Sequence, residues 1–228
     1  MRKMSHDLSN KIILVTGANS GIGYAFCEEA VRQKAARVIV AGRDESRCRV
    51  AATTLGPIAI AEVIDLSSLA SIDTFVVRAR ALYPVIDIIV NNAGIVRTSH
   101  SKTAEGFEIT LATNLIGLAH LTNSLVSNVS ASPNGRIVIV TATPVQWSSD
   151  GAIAARLRDV GGKHDTATTF GSYTDSKVFA SLYGQALQRH LSAREGSKHV
   201  LVASCDPGGV NTPIQGKMVP GFLTTLAK

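Results

Sequence analysis

The sequence predicts an α/β protein: a single domain with a doubly wound parallel sheet of about six strands and helices on both faces. Short apolar runs alternate with helical patterns along the 228 residues. The first apolar run leads straight into a glycine-rich turn, and polar or glycine-bearing turns follow several later runs. In a parallel sheet these turns meet at the carboxyl edge, where a ligand is expected.

The elements follow from periodicity and from the turn residues that bound them. The predicted strands are 12–15, 37–41, 59–64, 86–90, 136–141 and 199–204. The predicted helices are 21–33, 45–55, 68–82, 104–126 and 173–193. No repeat, linker or low-complexity stretch marks a boundary, so residues 1–228 are expected to form one domain.

Composition excludes several classes of protein. Net charge is +6, but the basic residues are scattered, which argues against a nucleic-acid surface. The three cysteines are widely spaced, as in neither a disulfide framework nor a paired-cysteine metal site. With no signal-peptide core and no run of about 18 apolar residues, we expect a cytoplasmic protein with no metal and no integral membrane segment.

The glycine-rich turn carries the first functional signal. Gly17 allows a tight turn, Gly21 allows backbone to approach a phosphate, and Gly23 allows the following helix to pack close to the strand. The start of that helix then presents N–H groups to a pyrophosphate. A Rossmann-type dinucleotide site is the expected consequence.

Three further motifs occur in a compatible order: Asn-Asn-Ala-Gly at 91–94, Tyr173 four residues before Lys177, and Pro-Gly-Gly-Val-Asn-Thr at 207–212. With the glycine turn they resemble the short-chain dehydrogenase/reductase family from residue 11 to about 213, and in pattern its retinol-dehydrogenase-like and protochlorophyllide-reductase-like branch. The resemblance implies a cofactor site made of Gly17, Asn19, Ser20, Gly21, Ile22, Gly23, Arg43, Asp65, Leu66, Asn92, Ala93, Gly94, Tyr173, Lys177, Pro207, Gly208, Val210 and Thr212.

The residue after the second strand predicts which cofactor is preferred. An acid there would accept hydrogen bonds from the ribose of NAD, but the sequence has Arg43, and Arg47 follows one turn later. Guanidinium groups suit a 2′-phosphate, so NADP (NADPH) is predicted. The alternative is that Arg43 and Arg47 belong to a solvated helix start that Asp44 caps. Asp65, after the third strand, is either the family's adenine-binding acid or a helix N-cap, and the two roles are compatible.

The resemblance implies three catalytic residues: Tyr173, Lys177 and Asn114. Tyr173 and Lys177 share one helical face, so the ammonium, with an oxidised nicotinamide, would lower the tyrosine pKa from about 10 toward neutral pH. Tyr173 then exchanges the substrate proton. Asn114 either holds a water near the lysine or faces solvent.

The family's serine at the end of the fifth strand is not present, because Ala142 occupies its place. Thr143 is the expected replacement for its hydroxyl, and Thr141 is the weaker candidate. We therefore predict an oxidoreductase that transfers hydride between NADP(H) and a carbonyl or alcohol substrate. The alternative is a catalytically impaired NADP(H)-binding regulatory protein.

Two segments depart from the compact family pattern. An insertion at about 144–170 is either a substrate-side flap or a surface feature. Only residues 214–228 remain where the family supplies a helix and a seventh strand, so we expect an open sheet edge that favours a homo-oligomer or lower stability.

Overall fold

The computed structural model describes residues 7–97, 99, 101–142, 169–208 and 210. Its strands are β1 (Ile12–Thr16), β2 (Arg37–Gly42), β3 (Ala59–Val63), β4 (Ile88–Asn91), β5 (Arg136–Val140) and β6 (Leu201–Cys205). All pairings are parallel and the order is β3-β2-β1-β4-β5-β6. The order reverses beside β1, which confirms the predicted doubly wound α/β sheet.

Helices cover both faces of this sheet. They are α1 (Gly21–Arg32), α2 (Glu45–Leu55), α3 (Leu69–Leu82), α4 (Ile109–Ser130) and α5 (Thr169–Ser192). One apolar cluster packs α1 and α2 on one face, and a second packs α3, α4 and α5 on the other. The inner strands are apolar on both sides because both sides are covered.

Side-chain caps fix several helix starts, and two predicted boundaries are corrected, one of a helix and one of a strand. The Glu108 carboxylate accepts the N–H groups of Thr110 and Leu111 at 3.0 and 2.9 Å, so α4 begins at Ile109 rather than at 104. The fourth strand begins at Ile88 rather than at 86, because the Ile86 N–H donates to the Asn128 carbonyl instead of the sheet.

Helix α4 is the one helix in the described part of the chain that is long and apolar enough to cross a membrane. Leu118, Leu121 and Leu125 are buried against the sheet in the main apolar cluster. Half of its most apolar window is buried inside the protein.

Asp87 joins three segments at the opposite, amino edge of the sheet. Its carboxylate accepts from Ile12 N–H at 2.9 Å, Ser132 Oγ at 2.7 Å and Lys11 Nζ at 3.2 Å. Burial alone would raise the pKa of Asp87, but these donors outweigh it and the pKa is lowered.

Candidate active site

A cavity of about 470 Å³ lies at the carboxyl edge of the sheet, where the sequence predicts the ligand. Its size is ordinary for a cofactor site. The predicted residues that line it are Gly17, Asn19, Ser20, Gly21, Ile22, Arg43, Asp65, Leu66, Asn92, Ala93, Gly94, Tyr173, Lys177, Pro207, Gly208 and Val210.

Two predicted site residues that the structure describes are not in that lining. Gly23 lies beneath the turn, where a Cβ would come within 2.5 Å of Asn92 Nδ2, so it serves close packing. Asn114 is fully buried behind the cavity wall. Thr143 and Thr212 fall outside the described residues, as do most of the 144–170 insertion and residues 211–228.

The glycine turn packs closely against the turn after β4 and is hydrogen-bonded to it. Gly17 has a φ of +64°, and a Cβ on it would lie 2.9 Å from the Cα of Ala93. The Thr16 hydroxyl accepts the N–H groups of Asn92 and Ala93 at 3.1 Å each. Thr16 also lines the cavity but was not predicted as a site residue; its signal was a hydroxyl at the end of an otherwise apolar strand.

The start of α1 suits an anion. Ser20 precedes the helix with extended backbone, and no side-chain hydrogen bond from it caps the first turn. That turn carries no acidic residue, and Ser20, Gly21 and Ile22 all line the cavity. Helical N–H groups left in this way bind phosphate readily, so the cradle fits a dinucleotide pyrophosphate.

Two guanidinium groups border the β2 end of the cavity. Arg43 and Arg47 line it, whereas Arg49 turns away and pairs with Glu45. Within the described residues neither Arg43 nor Arg47 has an ion-pair partner. Asp44 caps α2 by accepting from Arg47 N–H at 3.0 Å. Asp44 therefore caps α2 as the alternative expects, and the Arg43 and Arg47 side chains nevertheless line the cavity.

Asp65 does not cap a helix. Its carboxylate accepts from the N–H and the hydroxyl of Ser67 at 2.9 and 2.7 Å, while Ser68 caps α3. The N-cap interpretation is therefore wrong. Asp65 is instead held beside the cavity by a local turn.

Asn114 occupies a π-helical segment of α4, Ala112–Ile116, that the sequence did not predict. Its amide accepts from the Ile95 N–H at 2.8 Å and donates to the Ile95 carbonyl at 3.0 Å. It also donates at 3.0 Å to the Ser176 hydroxyl, which donates to the Tyr173 carbonyl at 2.7 Å. The solvent-facing interpretation of Asn114 is wrong, because the residue connects α4, α5 and the turn after β4.

Tyr173 and Lys177 face the cavity together from α5. Lys177 Nζ donates to the Val140 carbonyl at 2.9 Å and lies 5.9 Å from the centre of the Tyr173 ring. Burial lowers the pKa of Lys177 to about 8. In the protein alone, burial and then the negative charge of Asp206 raise the pKa of Tyr173, the opposite of the predicted direction.

Ala142, the residue predicted at the serine position, lines the cavity just after the end of β5. Thr141 also lines the cavity and is only 7% exposed. The Thr141 N–H donates to the Cys205 carbonyl at 2.8 Å, so the strand pairing continues to this point. Asp206, next along from Cys205, also lines the cavity and was missed, because one acid after a strand carries no distinctive signal.

Comparisons with a family model and with individual proteins point to the same family. Residues 11–153 match the family model described as short chain dehydrogenase. The chain is 33% identical over 214 residues to retinol dehydrogenase 13 of Mus musculus, covering 91% of this chain and 60% of the relative. It is 30% identical over 226 residues to polyprenol dehydrogenase of Homo sapiens, covering 96% and 66%.

Solved structures share the fold. A putative uncharacterized protein from Mycobacterium Paratuberculosis superimposes with a TM-score of 0.75 at 28% identity, covering 89% of this chain and 69% of that one. A Shigella flexneri short chain dehydrogenase complexed with NADP gives a TM-score of 0.73 at 22% identity, covering 94% and 84%. The chain spans about 60% of the length of the retinol dehydrogenase relatives.

Proposed function

The chain belongs to the short-chain dehydrogenase family, and on that premise we propose that it is an oxidoreductase that uses NADP(H) on a carbonyl or alcohol substrate. One observation carries the proposal: a single cavity is lined both by the uncapped start of α1 and by the Tyr173–Lys177 pair. The first suits a pyrophosphate, and the second suits proton exchange beside it.

Arg43 and Arg47 support NADP(H) over NAD(H). Both line the β2 end of the cavity, where the ribose of an adenosine would lie if its pyrophosphate were at α1. Two guanidinium groups favour a 2′-phosphate there, and position 43 itself carries Arg rather than the acid that would repel it. The neighbouring Asp44 carboxylate accepts from the Arg47 N–H. Asp65 and Leu66 would border the adenine.

The bound cofactor supplies the hydride acceptor or donor at C4 of its nicotinamide. In the proposed reaction, Tyr173 gives a proton to the carbonyl oxygen during reduction and takes it from the hydroxyl during oxidation. Lys177, fixed by the Val140 carbonyl, supplies positive charge near the phenol. Asn114 holds the cavity wall behind Tyr173 and Lys177 through its hydrogen bonds with Ile95 and Ser176.

An apolar alcohol or aldehyde is the proposed substrate class. Two relatives are named retinol dehydrogenase and polyprenol dehydrogenase, and both names denote long isoprenoid alcohols. The proposed organisation is one domain over residues 1–228, with the 144–170 insertion on the substrate side. A cytoplasmic location is proposed with it.

The decisive experiment is turnover of NADPH and NADH against retinaldehyde, a polyprenal and short aldehydes, with the alcohols tested in the reverse direction. We expect NADPH oxidation with the long apolar aldehydes in the wild-type protein. Tyr173→Phe is the matched control, because it removes only the phenol oxygen. Equal rates in the two proteins would contradict the proposed role of Tyr173.

A further inference from the structure

The charged side chains that line the cavity form two separate groups. Arg43, Asp44, Arg47 and Asp65 follow β2 and β3, on one side of β1. Lys177 and Asp206 lie on the other side of β1, where β5 and β6 end. Among the described lining residues, this second group therefore holds one cation and one anion.

The backbone fixes Asp206 next to the reaction end of the cavity. Val140 and Cys205 are paired in register, and Thr141 N–H donates to the Cys205 carbonyl at 2.8 Å, so Asp206 follows directly beside Thr141. One carboxylate oxygen of Asp206 accepts the Gly208 N–H at 2.8 Å. This local turn holds the carboxylate where it lines the cavity with Tyr173.

No other acid among the described lining residues shares this end of the cavity. Asp175 lies two positions from Tyr173 on α5 and therefore points to a different helix face. The remaining described residues that line this end are uncharged: Gly94, Ile95, Thr113, Val140, Thr141, Ala142, Pro207, Gly208 and Val210. Among the described lining residues, Tyr173 thus shares this end of the cavity with one ammonium and one carboxylate.

We infer that Asp206 acts through its charge on Tyr173 and keeps the phenol protonated, so that carbonyl reduction persists to higher pH and alcohol oxidation reaches full rate only at higher pH. The use in catalysis rests on the proposed function, but the electrostatic effect on Tyr173 does not. A fixed negative charge opposes formation of a second one nearby, whichever reaction the phenol serves.

The electrostatics of the protein agree with this geometry. After burial, the charge of Asp206 is the next cause that raises the pKa of Tyr173. Lys177 counters it weakly, because burial lowers the pKa of Lys177 to about 8 and the ammonium loses its proton in the alkaline range where tyrosine titrates.

The test is an ultraviolet titration of phenolate absorbance in the protein without substrate. The chain has four tyrosines, so the Tyr173 signal is the difference between each protein and its Tyr173→Phe counterpart. We expect Asp206→Asn, which keeps an oxygen for the Gly208 N–H, to lower the Tyr173 midpoint, because the negative charge that opposes phenolate is removed. Asp65→Asn, which removes a charge at the far end of the cavity, should leave that midpoint in place.

Asp206→Ser is the second variant, since serine also accepts from a backbone N–H two residues on. Where turnover is found, the pH profile of reduction should shift to lower pH in both Asp206 variants. A shift in the titration of a protein that turns over nothing would support this inference while sinking the proposed function. An unchanged midpoint in both Asp206 variants would overturn the inference, whatever the activity.

Discussion

The two sides of the cavity are built from different kinds of sequence. On the β1–β3 side, the binding groups come from the turn directly after each strand: the glycine turn, Arg43 and Asp65. On the β4–β6 side, the important contacts join distant residues. Asn114 and Ser176 are 62 positions apart and Val140 and Lys177 are 37 apart.

This difference separates binding from chemistry. The first side uses backbone N–H groups and glycine, so its geometry depends largely on local sequence, although Thr16 and Gly17 also pack it against the turn after β4. The second side depends on how β4, β5, α4 and α5 pack against one another. Substitutions on the second side should therefore change rate with little effect on cofactor affinity, and substitutions on the first side should do the reverse.

Tyr173→Phe is the most severe test of that separation. Loss of the phenol oxygen removes the proton donor, so kcat should fall by about 10² to 10⁴, while the affinity for NADPH measured by calorimetry stays within about two-fold. A variant that loses both together would show that the two sides are not separable. Full activity would exclude Tyr173 from the reaction.

The serine position gives the next largest expected effect. If Thr143 replaces the missing hydroxyl, Thr143→Ala should lower kcat by about 10² to 10³, since one donor to the developing oxyanion is lost. Ala142→Ser should then add little. Steady-state kinetics with saturating NADPH would measure both, with Thr141→Ala as the matched variant at the hydroxyl that lines the cavity.

The opposite pattern would point to the impaired alternative. In that case Thr143→Ala is nearly silent and Ala142→Ser raises kcat, because the serine restores a donor that the natural chain lacks. A large loss in Thr141→Ala alone would assign the hydroxyl to the buried threonine at the end of β5.

The same contrast explains how far the sequence could predict the molecule. The six strands, the glycine turn and Arg43 were predictable because strand periodicity and turn chemistry are local signals. The π-helical segment around Asn114 was not, since its amide partner Ile95 lies 19 positions away. Asp206 and Thr16 were missed for a related reason: each becomes a site residue only when neighbouring strands bring partners to it.

Arg43→Ala tests the first side of the cavity. Loss of a charge-assisted pair with a 2′-phosphate should cost about 1.5 to 3 kcal/mol, hence roughly ten-fold or more in affinity for NADPH. NADH affinity and kcat should change little. Calorimetric titration of both cofactors measures this, with Arg49→Ala as the control, because Arg49 pairs with Glu45 away from the cavity. Equal affinity of the wild-type protein for NADH and NADPH would contradict the proposed preference.

Asp87→Asn is expected to change turnover least. It tests whether the hydrogen bonds of Asp87 stabilise the strands that carry both sides of the cavity. Its carboxylate connects β1 to the segments that carry β4 and β5, at the edge of the sheet opposite the cavity. Asp87→Asn keeps an acceptor but loses the charge opposite Lys11. The free energy of unfolding should fall by about 1 to 2 kcal/mol, with kcat at neutral pH unchanged.

The pH dependence of unfolding tests whether the charge of Asp87 is what stabilises the fold. Because the folded-state pKa of Asp87 lies below the value of 3.8 in the unfolded chain, its stabilisation is present above that value and is lost as pH falls through the folded pKa. Denaturant unfolding of wild type and Asp87→Asn should therefore converge in acid and diverge toward neutral pH. Asp73→Asn is the control, since that exposed carboxylate pairs with His120 at the surface and should contribute less than about 1 kcal/mol. Curves that stay parallel down to the lowest pH would show that Asp87 acts through packing rather than through its charge.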